Sequence, residues 1–183
     1  FVGDAIAFVV AETLNAAKEA AEAIDIEFKA LPAVSDIRSA MVKGAPIVWS
    51  QMKDNLAYDK NLGDHKKVDA IFAKAHRVLT IEIENNRLIT NYMETRGAVG
   101  EYDSATKTMK LTVASQGVHG LRDTLAEKIM KVNADKVHVM TGDVGGGFGT
   151  KSFMYREYPL VLEAARRLKR PVKWIADRAD HFL

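Results

Sequence analysis

Thr141-Gly142-Asp143-Val144-Gly145-Gly146-Gly147-Phe148-Gly149-Thr150-Lys151-Ser152 is the stretch on which the fold turns. Three consecutive glycines with two more close by are costly to order, because glycine loses the most backbone freedom on folding. A chain keeps such a loop where backbone must take positive φ or press closely against something, either a neighbouring strand or a ligand. Before it, Lys136 to Met140 reads as a strand; after it, a helix is expected from about Phe153 to Leu168 and a strand from Val172 to Ala176. Further upstream a strand ends near Ala114 and a helix covers roughly His119 to Met130. Strands alternating with helices of about a dozen residues favour crossover connections, so part of this sheet is expected to be parallel.

Moving outward, Glu101 to Val113 reads as a hairpin turning at Asp103-Ser104, with Met109, Leu111 and Val113 alternating on one face. Val78 to Glu84 alternates as a strand, with Leu79, Ile81 and Ile83 against Thr80, Glu82 and Glu84. Asp64 can cap a helix in which Val68, Ile71, Phe72 and Ala75 share a face, and Thr13 can cap an Ala-rich helix to about Ile24. Ala5 to Val10 and Asp25 to Lys29 also read as strands, while residues from about Pro32 to Lys53 look loop-rich. The chain opens on Phe1 without an initiator Met or a signal-peptide pattern, and stops just after the Val172–Ala176 strand, so it reads as a piece of a longer protein.

Composition narrows the function classes. Hydrophobic residues make up 48% of the 183 and charged residues 27%, an ordinary globular balance that excludes a disordered chain or a coiled coil. The longest apolar run, Ala5 to Ala11, is far shorter than the roughly 20 residues that span a bilayer, so no integral membrane segment is expected. A net charge of +2 gives no global reason to seek nucleic acid. Zero cysteines exclude disulfides, thiolate metal sites and a cysteine nucleophile within this span. Eight basic and four acidic residues lie between Lys151 and Leu183, which reads as a solvated helix face around Arg166, Arg167, Lys169 and Arg170, or as contact with an anionic cofactor or partner subunit.

Two phosphate motifs come close and fail. A Walker A loop starting at Gly145 would need glycine where Thr150 stands, ahead of Lys151 and Ser152. The dinucleotide fingerprint would need glycine at Gly145, Gly147 and Thr150, near the start of a βαβ unit.

Asp143 to Lys151 instead resembles the glycine-rich cofactor loop of the xanthine dehydrogenase and aldehyde oxidase family, and more narrowly the molybdenum-binding large subunit of carbon monoxide dehydrogenase-like enzymes. Phe1 to Ala7 resembles the opening of that family's α/β hammerhead domain. Asn91-Tyr92-Met93-Glu94-Thr95-Arg96 is similar to its "(M)E-P-R" motif, with Thr95 where proline is usual. Ser115-Gln116-Gly117-Val118-His119 and Arg170-Pro171-Val172-Lys173-Trp174 also fit. The motifs occur in the family's order and cover essentially the whole chain.

The resemblance implies an α+β fold: an α/β hammerhead-like portion over residues 1–88, then the incomplete N-terminal part of a molybdopterin-binding domain over 89–183. It implies cofactor-binding roles for Gln116, Gly146, Gly147, Phe148 and Gly149, with no catalytic residue and no metal ligand in this span. Gln116 would offer a donor and an acceptor beside the metal's ligands, the glycines would let backbone N–H groups approach the pterin, and Phe148 would wall the pocket from water. The implied cofactor is molybdenum-molybdopterin in its cytosine dinucleotide form, held by a cytoplasmic full-length parent and not by this chain alone. Implied partners are iron–sulfur and FAD-binding subunits or domains and a small-molecule substrate. Purine-oxidising members carry a glutamate where Ser152 stands, so purine recognition does not carry over. The family's catalytic glutamate lies beyond Leu183.

Beside this stand a degenerate P-loop nucleotide binder and a non-catalytic interaction domain. His65, His76, His119, His138 and His181 show no pair at metal-ligand spacing and read as surface or strand residues, His119 being the one close to Gln116. Glu94 and Arg96 read as a buried ion pair or a pocket element.

Overall fold

A computed structural model describes residues 1–86 and 88–182, which fall into two compact units: Phe1–Ile24 with Asn86–Leu183, and Asp25–Asn85. The smaller unit holds two short helices, α2 (Ile37–Ala40) and α3 (His65–Phe72). Each starts on an aspartate whose carboxylate accepts a backbone N–H of the first turn, Asp36 from Ser39 and Asp64 from Lys67. Asn55 organises the loop-rich stretch, donating to Ala40 O and Pro46 O and accepting from Val48 N–H.

The larger unit begins with α1 (Leu14–Glu22), where Thr13 Oγ1 accepts from Ala16 N–H and the helix stops two residues before Ile24. Its centre is a four-stranded sheet of β1 (Gly97–Asp103), β2 (Thr108–Val113), β3 (Val137–Met140) and β4 (Val172–Ile175), in the order β3-β2-β1-β4. β1 pairs antiparallel with β2 and β4, whereas β2 and β3 run parallel across a helical crossover, as the alternation of strands and helices requires. Asp103 builds the hairpin turn by accepting from Ala105 N–H and the Thr106 hydroxyl, and Lys107 completes it at φ 56°. The crossover is α4 (Val118–Asp123) running into a π-helical segment, Thr124–Met130, which ends on left-handed Lys131. After β3 the glycine loop leads through a 3₁₀ turn to α5 (Glu157–Leu168).

The core lies between one sheet face and these helices. Leu111, Val113 and Val137 from the strands meet Leu125, Val161 and Leu162 from the helices, all essentially fully buried. Each such side chain is worth ~1.5–3 kcal/mol of transfer free energy. Glycine is required at one place in this interface: a Cβ on Gly100 would lie 2.6 Å from Val161 O and 2.9 Å from Leu162 N, so α5 rests directly on β1 backbone. The opposite face carries Glu101, Lys110, Thr112 and Lys173, with a Glu101–Lys110 ion pair at 2.9 Å.

Three expectations are corrected here. Ala5–Val10, Asp25–Lys29 and Val78–Glu84 join no ladder among the described residues, and Leu79, Ile81 and Ile83 are each 77% exposed. Alternation creates an apolar face, but a strand also needs a neighbour to take its backbone hydrogen bonds. The basic run near α5 is a solvated, ion-paired face: Arg166 and Arg167 both donate to Glu163, holding its carboxyl at about 2, and Arg170 reaches Glu12.

Candidate functional site

The topology gathers the chemistry-bearing segments at one sheet edge. β2 and β3 are parallel, so the segments leaving them, Ser115-Gln116 and the glycine loop, emerge together. β1 is antiparallel to β2, so the residues entering it, Tyr92 to Arg96, lie at the same edge, and β4 leaves there as well. Ligand sites in sheets with parallel strands favour this carboxyl end.

The segment after β4 straps the one before β1. Arg178 donates to Tyr92 O and Met93 O, each at 2.6 Å, and Ala176 N–H donates to Arg96 O. His181 Nε2 accepts from Arg96 N–H, which leaves the ring proton on Nδ1, 2.7 Å from the Tyr92 hydroxyl. Burial lowers the His181 pKa, and the Arg96 and Arg178 charges lower it further. His181 is thus a half-buried tie rather than a surface residue. His119 is exposed on α4, and its side chain makes no hydrogen bond among the described residues.

Glu94 and Arg96 do not pair with each other. The backbone bends at Met93 and Glu94, so the two side chains do not share one strand face. Arg96, 6% exposed, stacks 3.7 Å over the Tyr155 ring with Nη1 3.7 Å from Glu157 Oε2. Glu94 Oε2 instead accepts from Gly145 N–H at 2.8 Å and from Lys151 Nζ at 2.7 Å. Burial pushes the Glu94 carboxyl up, but Lys151 and the Gly145 N–H more than offset this and hold its pKa below the ordinary value. Lys151 is the site residue that sequence reasoning missed. It is fully buried, with Nζ 4.7 Å from the centre of the Tyr92 ring. A P-loop lysine has to reach a phosphate; this one is committed to a carboxylate, which removes the basis of the nucleotide-binding alternative.

The structure brings Gln116 and the glycine loop together. Gln116 Oε1 accepts from Gly149 N–H at 3.0 Å and Lys151 N–H at 3.2 Å, while Gln116 N–H donates to Lys151 O. Two N–H donors identify the facing atom as the carbonyl oxygen, so the amide NH₂ points away from the loop. The expectation that Gln116 offers both a donor and an acceptor is corrected: the acceptor is occupied, and a donor remains.

The glycines serve the chain's own packing first. A Cβ would lie 2.5 Å from Glu94 Cβ at Gly145, 2.9 Å from Tyr92 Cβ at Gly146, and 2.5 Å from Gln116 Oε1 at Gly147. Gly146 and Gly149 also hold φ near +90°. On the other side the loop is open: at Gly142 and Gly149 a Cβ would meet nothing within 4 Å. The N–H groups of Gly146, Gly147 and Phe148 donate to no acceptor among the described residues. Phe148, at φ 46°, is 78% exposed and is not among the residues that line the groove beside the loop. Free backbone donors and one oriented amide suit a group rich in polar acceptors, which a pterin is. Next to the loop, on the open sheet face, a groove of about 330 Å³ is lined by Glu94, Thr112, Asp143 and Lys173 among others. No group of three metal-binding side chains occurs among the described residues, and no helix there is long and apolar enough to cross a membrane.

Residues 48–183 match the family described as the molybdopterin cofactor-binding domain. The whole chain is 31% identical to the nicotine 6-hydroxylase large subunit of Paenarthrobacter nicotinovorans and 30% identical to the carbon monoxide dehydrogenase large chain of Afipia carboxidovorans. It spans 22% and 24% of those relatives' lengths. The crystal structure of quinoline 2-oxidoreductase from Pseudomonas putida 86 is similar over 94% of this chain and 22% of that one, with a TM-score of 0.83 at 32% identity.

Proposed function

The chain belongs to the molybdopterin cofactor-binding domain family, and from that premise we propose that it is part of the large subunit of a molybdenum hydroxylase or dehydrogenase. When bound, the molybdenum-molybdopterin group supplies an oxidation in which water provides the oxygen, with electrons leaving to iron–sulfur and FAD-binding subunits or domains. This chain's share is to bind and orient. The carrying observation is the fixed Gln116 amide, whose oxygen is held by Gly149 and Lys151 N–H groups so that its NH₂ is presented as a donor. That donor would meet an oxygen ligand of the cofactor. Gly146, Gly147, Phe148 and Gly149 would bring backbone close to the pterin, the exposed Phe148 ring being covered only once the rest of the site is present.

The finer reading follows the same residues. The cofactor is the cytosine dinucleotide form, residues 1–88 contribute to a hammerhead-like domain, residues 89–183 open the molybdopterin-binding domain, and the parent enzyme works in the cytoplasm. Ser152 has no carboxylate to pair with a purine ring, so the substrate is a small carbon compound, an aldehyde or a heteroaromatic. Losing a charged hydrogen bond to a purine costs roughly 1.5–3 kcal/mol, about one to two orders of magnitude in rate.

The test is metal and pterin analysis of the full-length parent, followed by turnover of aldehyde, heteroaromatic and xanthine substrates. Stoichiometric molybdenum and pterin with xanthine the poorest substrate is the expected result. A parent free of molybdenum would overturn the reading, and efficient xanthine oxidation would overturn the substrate class.

A further inference from the structure

We propose that Lys151 and Glu94 are positioning residues for the glycine loop: a buried ammonium acts through one carboxylate to fix where the loop presents its free N–H groups. The proposal rests on the reading of that loop as a pterin-binding element. Its warrant is geometric. A fully buried lysine on a glycine-rich loop gives up hydration and side-chain freedom, so its burial calls for a compensating partner. That partner is Glu94 Oε2, 2.7 Å away, and the same oxygen accepts the Gly145 N–H at 2.8 Å. Glu94 N–H in turn donates to Gly145 O at 3.1 Å, so Gly145 is gripped on both sides.

Lys151 also anchors the other end of the loop through its main chain. Its N–H donates to Gln116 Oε1, and its carbonyl accepts from Gln116 N–H and from the Ser115 hydroxyl. One residue therefore ties the start of the loop, through Glu94, to its end and to Gln116. The segment between Gly145 and Lys151 is closed into a ring at the Glu94 carboxylate, which the buried ammonium holds in place without leaving its charge unpaired. Its glycines, free to wander in an open loop, are left with little room to do so. Lys151 touches neither the free N–H groups nor the Gln116 NH₂, so its effect is on position.

The experiment uses the full-length holoenzyme and reads two quantities: pterin content after purification, and hydrogen exchange of the peptide containing Gly145. In Lys151→Met, a near-isosteric neutral change, the carboxylate loses its partner. Gly145 exchange should then quicken by about tenfold, the loss of about one hydrogen bond, and pterin content should fall with it. In the double variant Glu94→Gln/Lys151→Met, the glutamine carbonyl still accepts the Gly145 N–H and no charge is left alone, so both readouts should return to near the wild-type level. If the single variant does not accumulate, the double variant decides by accumulating with pterin bound. Wild-type exchange and pterin in Lys151→Met would overturn the proposal, leaving the lysine a space-filler; so would a double variant as impaired as the single. A wild-type parent lacking pterin would instead defeat the proposed function, while the exchange pattern would still decide the clamp.

Discussion

Replacing Gly147 with alanine should separate stability from function in one residue. The added methyl would lie 2.5 Å from Gln116 Oε1, 2.7 Å from its Cδ and 3.1 Å from its Cγ. Gly147 is not among the residues at positive φ, so its backbone tolerates a Cβ. The obstruction is therefore the end of an exposed, flexible side chain, which can swing aside. Swinging aside breaks the Oε1 bonds from Gly149 and Lys151 N–H, about 1–2 kcal/mol in all, and water can rescue the exposed Gly149 donor. The site loses more, because the Gln116 NH₂ is no longer aimed. In the full-length parent, melting should shift by a few degrees at most, while pterin content or kcat/KM falls about 10- to 100-fold, the worth of one hydrogen bond to a polar ligand. Calorimetry, pterin extraction and steady-state turnover on one preparation make the comparison. Wild-type kcat/KM with full pterin content would refute the reasoning, as would a stability loss above about 4 kcal/mol, which would place the clash on backbone.

Gly100→Ala makes the opposite case: its methyl would lie 2.6 Å from Val161 O and 2.7 Å from Val161 C, rigid helix backbone, so a loss of about 3 kcal/mol is expected in urea titration, and less than 1 would contradict the close approach. His181 has a folded-state pKa below its ordinary 6.5, so the unfolded chain takes up the proton first; its contribution to stability is full above about pH 6.5 and is lost as pH falls through the lowered value. His181→Gln should flatten that part of the stability–pH profile, and an unchanged slope would discount the Tyr92 and Arg96 contacts. The 183-residue chain by itself should retain neither molybdenum nor pterin, because an open half-site leaves a ligand's polar groups in water. It should also show no micromolar ATP binding, Lys151 being buried against Glu94; metal analysis and a magnesium-ATP titration check both, stoichiometric molybdenum or tight ATP binding being the contrary results.

The sequence is most legible where local pattern and partner come together. The Asp103 turn lies between two alternating runs, so hairpin and register follow from adjacent residues, and the alternation after Ala114 carries the parallel β2–β3 pair. Ala5–Val10 is a continuous apolar run and Val78–Glu84 alternates, but either pattern names a face and not a neighbour, and neither joins a ladder among the described residues. The glycine loop and Gln116 announce themselves by composition and motif. The loop's internal wiring does not: a lysine two residues after the last glycine looks like a phosphate ligand until Glu94, 57 residues earlier, is seen against it. Glu94 and Arg96 look like a pair because they are close in sequence, whereas a bend at Met93 and Glu94 separates them and they meet Lys151 and Glu157. The one available signal was the loss of the Walker glycine at Thr150, which already argued that Lys151 serves something other than phosphate.

The strap across the sheet edge has a consequence in time. Tyr92 and Met93 receive their hydrogen bonds from Arg178, 86 and 85 residues later in the chain. Translation adds roughly 5–20 residues per second, so the segment entering β1 waits about 4–17 s after its own synthesis for the side chain that secures it. The β1–β2 hairpin needs only a short loop closure and can pair within microseconds of leaving the ribosome. The hairpin can therefore pair seconds before the edge that carries Glu94 and, through it, Gly145 is fastened. Among these three segments the hairpin is synthesised first, the glycine loop next and the strap last.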